Sequence, residues 1–218
     1  WQKALAGTSG IRKLTYPDAD RSPVQAVGQV GETDWSTIQE TFPAESANEG
    51  ERRTLFALWA AKEALKDAGM GRDRGNFRMG TVLAAGLGID RLEDVQRWID
   101  DSKFDYRKFG GEYRDVHKES LIRNNSHRPA ALIADKFHLN GYNGTVTTAC
   151  ASATQAIGIA YRAIRRGDAD MIIAGGADSM INPVGLVFFA LLGAAAVSGE
   201  APEELCRPFD RKRSGLVM

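Results

Sequence analysis

The stretch "GTVTTACASATQAIGIAYRAIRRGDADMIIAGG" limits the possible folds more than any other part of this chain. Small and β-branched residues from Gly144 to Ala149 read as a strand and Ala151 to Arg166 as a helix. "GDAD" follows as a turn and "MIIAGG" as a second, very apolar strand. Turns this short leave the order β-α-β. Apolar strands that run without interruption and alternate with helices belong to a sheet covered on both faces. The fold expected is therefore α/β and layered, a mostly parallel central sheet with helices on each side.

Other segments extend the same alternation. From Arg52 to Ala68, Leu55, Leu58, Trp59 and Leu65, with Ala61, Ala64 and Ala68 between them, share one helical face, and Gly69 supplies a left-handed stop. "FRMGTVLAAG" reads as a buried strand, and "RLEDVQRWID" as an amphipathic helix entered through a turn at Gly86 to Asp90. "NNSHRPAALIADKFHLNG" predicts a helix capped by Asn or Ser, with Pro129 in its first turn and Asn140-Gly141 at its end. Two regions carry no firm period. The first fifty residues, broken by Pro17 and Pro43, are expected to be loops with at most one short strand. Asp101 to Ser120, with Gly110-Gly111, is expected to be a long loop or flap.

With 218 residues and 43% of them hydrophobic, the chain can fill the core of one large domain or two small ones. Lys plus Arg and Asp plus Glu balance at 28 each, so no overall field attracts nucleic acid or an anionic membrane. No run approaches the roughly 20 apolar residues of a membrane span, and the basic-then-apolar order of a signal peptide is missing at the start. The cytoplasm is the default location. Cys150 and Cys206 are the two cysteines and lie in no C-x-x-C or Cys/His cluster, so neither a structural disulfide nor a metal site is expected. The opening on Trp1 and the close on "RSGLVM", which looks like the entry to an apolar strand, lead to the expectation of a piece of a longer protein.

Cys150 stands where the first strand of the β-α-β unit meets the helix. Ligands bind at that carboxyl edge, because the loop is exposed while the elements around it are rigid. A helix N-terminus offers a thiol the positive end of the dipole and unpaired N–H groups, which favour thiolate and can also hold an oxyanion. The small neighbours Ala149, Ala151, Ser152 and Ala153 permit a sharp turn and leave room for a carbonyl, the logic of a nucleophile elbow with sulfur in place of oxygen. A second reading stands beside it, since free cysteine also packs well as a small buried hydrophobe. Cys206 has no such junction and is not a candidate for chemistry.

The segment "TVTTACASATQAIGIAYRAIRRGDADMIIAGGAD", followed by "RPFDRKRSGLVM", resembles the β-ketoacyl-acyl-carrier-protein synthases, the elongating condensing enzymes of the thiolase-like superfamily. In that family the active-site cysteine lies in T-A-C-x-S/A, followed by G-D-A-D, an apolar strand ending in Gly-Gly, and R-P-F-D-x-x-R-x-G. "WQKALAGTSGI", "AAKEALKDAG" and "MGTVLAAGLG" fit earlier parts of the family, while Ile89 to Ser126 fits only in outline. Family members are roughly twice this length and consist of two pseudo-duplicated halves. The resemblance thus implies that residues 1–218 are the N-terminal half of a β-ketoacyl synthase, lacking its first strand and its C-terminal half.

What the resemblance implies for chemistry is decarboxylative Claisen condensation in fatty acid or polyketide synthesis. Cys150 would accept an acyl chain from the phosphopantetheine of an acyl carrier protein, with no resident cofactor. The two histidines and the lysine that decarboxylate the malonyl extender belong to the second half, so this chain alone is expected to be inactive in condensation. Phe189 matches an aromatic residue lining the family's acyl pocket, and its neighbour Phe188 replaces a residue that is often small, implying a reshaped pocket; plain core packing is the other reading of both. Arg52 and Arg53, at a helix start, are candidates for docking the acidic carrier, or simply a solvated face. A homodimer, or a heterodimer with a related synthase, is implied as well.

His127 where Asn is common and "LNGYNGTV" in place of a Gly-Pro turn point to a divergent or specialised branch, and "GAAAVS" departs from the family by having no arginine. His117, His127 and His138 lie in no catalytic motif and read as loop or helix-surface residues. "GLGID" lacks the third glycine of a dinucleotide loop, where Arg91 stands. The alternatives left open are a non-decarboxylating acyl transferase or thiolase-like relative, and a catalytically incomplete partner or scaffold subunit.

Overall fold

The computed structural model describes residues 2–16, 19–49, 52–70, 78–86, 95–115, 122, 123, 125–197 and 201–218. In chain order its elements are α1 (Gln2–Leu5), β1 (Arg12–Lys13), β2 (Ala26–Val27), α2 (Glu32–Thr41), α3 (Pro43–Asn48), α4 (Arg52–Asp67) and β3 (Met79–Ala85). There follow β4 (Ile99–Asp100), β5 (Lys103–Phe104), α5 (Tyr106–Glu112), α6 (Arg128–Lys136), β6 (Asn143–Val146), α7 (Ser152–Arg166), β7 (Met171–Ala177) and α8 (Pro183–Leu191). They fall into two compact units, Ser36–Ser179 and the two ends of the chain, Trp1–Trp35 with Met180–Met218.

The larger unit is built on a parallel sheet of order β6-β3-β7. Every residue of β3 is buried, as a central strand covered on both faces requires. Val82 and Ala84 face α7, where Ala156 and Ala160 complete a core closed by Tyr142, Val146, Ile159 and Ile172. Alternation along the strand sends Thr81, Leu83 and Ala85 to the opposite face, and α6 and α4 pack on the sheet with them. The layered α/β arrangement expected from the β-α-β segment is the one observed.

Gly80 allows β3 and β6 to approach closely: a Cβ there would lie 2.1 Å from the carbonyl oxygen of Tyr142. That same carbonyl accepts a bond from Thr81 N–H at 2.8 Å. Gly69 ends α4 at φ +66°, the left-handed stop its sequence predicts.

Where β3 begins, the Arg78 guanidinium donates to both carboxylate oxygens of Asp170, at 2.8 and 3.2 Å, and to Gly167 O at 2.7 Å. This clasp ties the start of β3 to the turn before β7. Hydrogen bonding from the Arg78 side chain, and then from its backbone N–H, holds the Asp170 carboxyl below the usual carboxylate range. A carboxyl that ionises more readily when folded adds its stability in full above its unfolded value, and loses it as pH falls through the lowered folded one. Asp170→Asn is therefore expected to lower the urea midpoint at neutral pH, and the gap from wild type should close in strong acid. A gap of constant size from neutral to acid would show that charge is not its origin.

Several expectations are corrected. The first fifty residues hold helices, because Pro43 occupies the first turn of α3, where a missing N–H costs nothing, and Glu32 and Asp34 open α2. Of the segment expected as a loop from Asp101 to Ser120, the described part is not one: β4 and β5 form a hairpin and Asp105 caps α5 by accepting from the N–H groups of Arg107 and Lys108, both at 2.9 Å, while 116–120 lie outside the described residues. Within the segment expected as the amphipathic helix "RLEDVQRWID", Val95 and Gln96 are helical as expected while Ile99 and Asp100 are strand, and 91–94, with 87–90 of the turn before them, lie outside the described residues. The helix before β6 starts later than expected, with His127 at its N-cap and no side-chain cap.

In the terminal unit β1 and β2 pair antiparallel, and Leu14, Ala19, Val24, Val27, Leu186 and Ala195 form a core. Tyr16 donates its hydroxyl to Ile181 O at 2.6 Å. The closing residues, expected to enter a strand, make a single bridge, Ala195 with Leu216, and Met218 O accepts from Gly28 N–H. Among the described residues, no helix is long and apolar enough to cross a membrane, and no group of three metal-ligating side chains occurs.

Candidate active site

β6 ends at Val146, and the chain turns through Thr147 and Thr148 into a single 3-10 turn, Ala149–Ala151, before α7 starts at Ser152. Cys150 is the middle residue of that turn and its side chain is exposed. The sulfur thus sits just ahead of the helix rather than on its first turn, a small shift from the sequence reading. Within residues 1–218 the thiol is accessible to a reactant.

The turn is sharp because Ala149 takes φ +49°, a left-handed conformation unusual for a residue with a Cβ and no polar side chain. Ser152 stabilises it. Its hydroxyl accepts from Thr148 N–H at 2.6 Å and donates to Ala149 O at 2.7 Å, and the side chain is 4% exposed. The Thr148 hydroxyl donates to Gln155 Oε1 at 2.8 Å, a further tie between the turn and α7. The first bond of the 3-10 turn runs from Ala151 N–H to Thr148 O, one residue beyond the cysteine. Cys150 N–H therefore precedes the ladder of the turn, as a donor for an oxyanion beside the thiol must.

Beyond the elbow, α7 buries Ser152, Ala156, Ala160 and Ala163. Its outer face carries Ile157, Tyr161 and Ile164, spaced by one helical turn and all exposed.

The carboxyl edge of the sheet holds a polar network as well. Gly86 O, at the end of β3, accepts from Arg53 at 3.3 Å and from the Ser126 hydroxyl at 3.0 Å. Arg128 makes a two-pronged pair with Glu49, whose side chain is 1% exposed, and Arg123 donates to Asn48 O at 3.4 Å. Here the sequence reading of Arg53 as a carrier-docking residue is overturned: the side chain has no exposed surface and is committed to the Gly86 carbonyl. Its neighbour Arg52 is half-buried.

Phe188 and Phe189 lie in the terminal unit on α8, in edge-to-face contact with centroids 5.6 Å apart. Phe189 packs against that unit's core, while Phe188 is exposed. Cys206 is exposed in an irregular segment of the same unit. His127 and His138 are exposed, and His117 lies outside the described residues. Sequence reasoning counted Ser152 only as a small neighbour of the cysteine. The signal that could have found it is a serine at the first position of a helix, where its hydroxyl can reach back to the entering backbone.

Compared with known proteins, residues 1–218 match the family profile described as the N-terminal domain of β-ketoacyl synthase. A putative polyketide β-ketoacyl synthase 1 from Streptomyces halstedii is 32% identical over 224 residues, spanning 100% of this chain and 51% of that protein. The 3-oxoacyl-[acyl-carrier-protein] synthase 2 of Coxiella burnetii is 29% identical, spanning 100% of this chain and 50% of that protein. Among solved structures, a type II polyketide ketosynthase bound to the hexaketide, in complex with its acyl-carrier protein, superposes with a TM-score of 0.77 at 23% identity. That match covers 100% of this chain and 50% of the ketosynthase, and it shows the fold alone. A β-ketoacyl synthase from Burkholderia phymatum gives a TM-score of 0.71 at 27% identity, over 97% of this chain and 50% of that one. The chain spans about half the length of the curated relatives it matches.

Proposed function

Because the chain belongs to the β-ketoacyl synthase family, we propose that the protein containing it extends acyl chains by decarboxylative Claisen condensation, with Cys150 as the acyl acceptor. The observation that carries this reading is the exposed thiol on a strained elbow, at the carboxyl end of a parallel strand and just ahead of a helix. The Cys150 thiolate attacks the thioester carbonyl of an acyl chain carried on phosphopantetheine. Cys150 N–H donates to the oxyanion that forms, and collapse expels the pantetheine thiolate, which takes up a proton. A malonyl thioester on a second carrier then loses carbon dioxide. Its enolate carbon bonds to the acyl carbonyl carbon, and the C–S bond to Cys150 breaks to return the thiolate.

The groups that assist decarboxylation are assigned to the half of the family fold that this chain does not span. Support for such a half comes from α7, whose exposed Ile157, Tyr161 and Ile164 make an apolar stripe that water covers poorly. The carrier protein is the partner proposed, with Arg52 alone left of the two docking arginines. Lining of an acyl pocket by Phe188 and Phe189, a paired arrangement with an identical or related synthase chain, a cytoplasmic location and the absence of a resident cofactor belong to the same reading.

The test uses the intact protein with an isotopically labelled acyl carrier protein and then malonyl carrier. Label is expected on the peptide containing Cys150, followed by release of one carbon dioxide for each ketoacyl product. Acyl-Cys150 without carbon dioxide release would point instead to simple acyl transfer. An unlabelled Cys150 peptide would overturn the nucleophile itself.

A further inference from the structure

Ser152 occupies a place in this site that goes beyond packing. Its hydroxyl bonds to the N–H that enters the stretch Thr148–Ala149 and to the carbonyl that leaves it. These two residues carry the unusual torsions of the elbow, φ −135° and ψ 42° at Thr148 and φ +49° at Ala149. Asparagine or aspartate in the left-handed region can offset the cost with a local side-chain bond, and alanine cannot. The compensation at Ala149 comes from the serine four residues after Thr148.

The second of these bonds reaches the chemistry. Ala149 C=O and Cys150 N–H belong to one planar peptide group and point in opposite directions across it. Holding the carbonyl therefore also aims the N–H. Ser152 donates to Ala149 O twice, through its hydroxyl at 2.7 Å and through its own backbone N–H at the start of α7. That peptide is anchored to a helix which is itself packed on the sheet through Ala156 and Ala160. We propose that Ser152 is a positioning residue for the oxyanion donor: its buried hydroxyl fixes the Ala149–Cys150 peptide so that Cys150 N–H meets the charge developing on the acyl oxygen. The inference rests on the reading of Cys150 as acyl acceptor.

Two reactions of the same sulfur separate this role from a merely structural one. Acylation by a thioester passes through an oxyanion, whereas alkylation by iodoacetamide displaces iodide and forms none. With the intact protein and hexanoyl-pantetheine as acyl donor, Ser152→Ala is expected to slow acylation of Cys150 on the order of tenfold, since the peptide keeps the backbone N–H bond from residue 152 but loses the hydroxyl bonds that fix its direction. That is less than the roughly 10²- to 10³-fold lost when an oxyanion donor is removed outright. Alkylation of Cys150 should change by less than about twofold, the size of effect left when no oxyanion forms. The same comparison in an Ala149→Gly background covers a Ser152→Ala protein that does not fold, because glycine adopts the left-handed backbone freely while the peptide still lacks its bond from the hydroxyl.

Unchanged acylation in both backgrounds, or acylation and alkylation falling in parallel, would overturn the assignment. Failure of wild-type Cys150 to acylate at all would instead remove the nucleophile reading on which it rests.

Discussion

On the proposed reading, Cys150→Ala in the intact protein is expected to leave a folded protein that takes no acyl chain from a carrier and condenses at a rate lower by about 10⁵-fold or more, the scale seen when a covalent nucleophile is deleted. The effect on stability is expected to be small. The side chain is exposed, and alanine fits the 3-10 turn between Ala149 and Ala151 without a new contact, so the unfolding free energy should change by no more than about 0.5 kcal/mol. The internal control is Cys206, also exposed, in an irregular segment with no elbow. Cys206→Ala should leave acyl loading and turnover unchanged. Intact-mass measurement after exposure to acyl carrier, together with a turnover assay, reads both variants. Residual loading of the Cys150→Ala protein comparable to wild type would place the acyl group elsewhere.

The β-α-β unit that carries Cys150 was legible because every level of its sequence agrees. β7 is apolar, Gly167 ends α7, and the small residues around Cys150 match a turn that is in fact strained. Agreement of this kind is weaker in the first fifty residues. α2 buries a single side chain, Ile38, so no hydrophobic period marks it. α3 is a short helix opened by a proline, which a sequence reader counts as a break although the first turn tolerates it. α5 was hidden by Gly110-Gly111, two poor helix formers, and its real marker is Asp105 one position before it.

At the candidate site, the residue the sequence singles out is the one whose chemistry is carried by its identity, Cys150. Ser152 and Arg53 were misjudged because their roles depend on what the fold places opposite them. Ser152 matters through two backbone groups of a turn whose torsions no local pattern reveals. An arginine at a helix start reads as a solvated charge. Arg53 is instead covered and turned toward Gly86 O, a carbonyl 33 residues away in the chain. Burying a charged side chain is tolerable only with such partners, and partners distant in sequence leave no periodic trace.

The same dependence on distant backbone makes Gly80 a sensitive position of the sheet. Gly80→Ala would place a methyl 2.1 Å from Tyr142 O, 2.9 Å from its carbonyl carbon and 3.0 Å from its nitrogen. These are main-chain atoms, so no rotamer change relieves the overlap. Either β3 or the segment entering β6 must move. Movement would break Thr81 N–H to Tyr142 O and Gly141 N–H to Met79 O, both 2.8 Å. The two losses reinforce each other, and a destabilisation of about 4 kcal/mol is expected, at the upper end of single substitutions. Gly110→Ala in α5 is the comparison, since a Cβ there meets nothing within 4 Å. It should stabilise by roughly 0.5–1 kcal/mol, because alanine replaces glycine inside a helix. Because β6 delivers the chain to Thr148 and Cys150, a shifted register also moves the elbow. In any Gly80→Ala protein that remains folded, acylation of Cys150 should fall while Gly110→Ala leaves it unchanged. Equal urea midpoints for the two variants would contradict the close approach of β3 and β6.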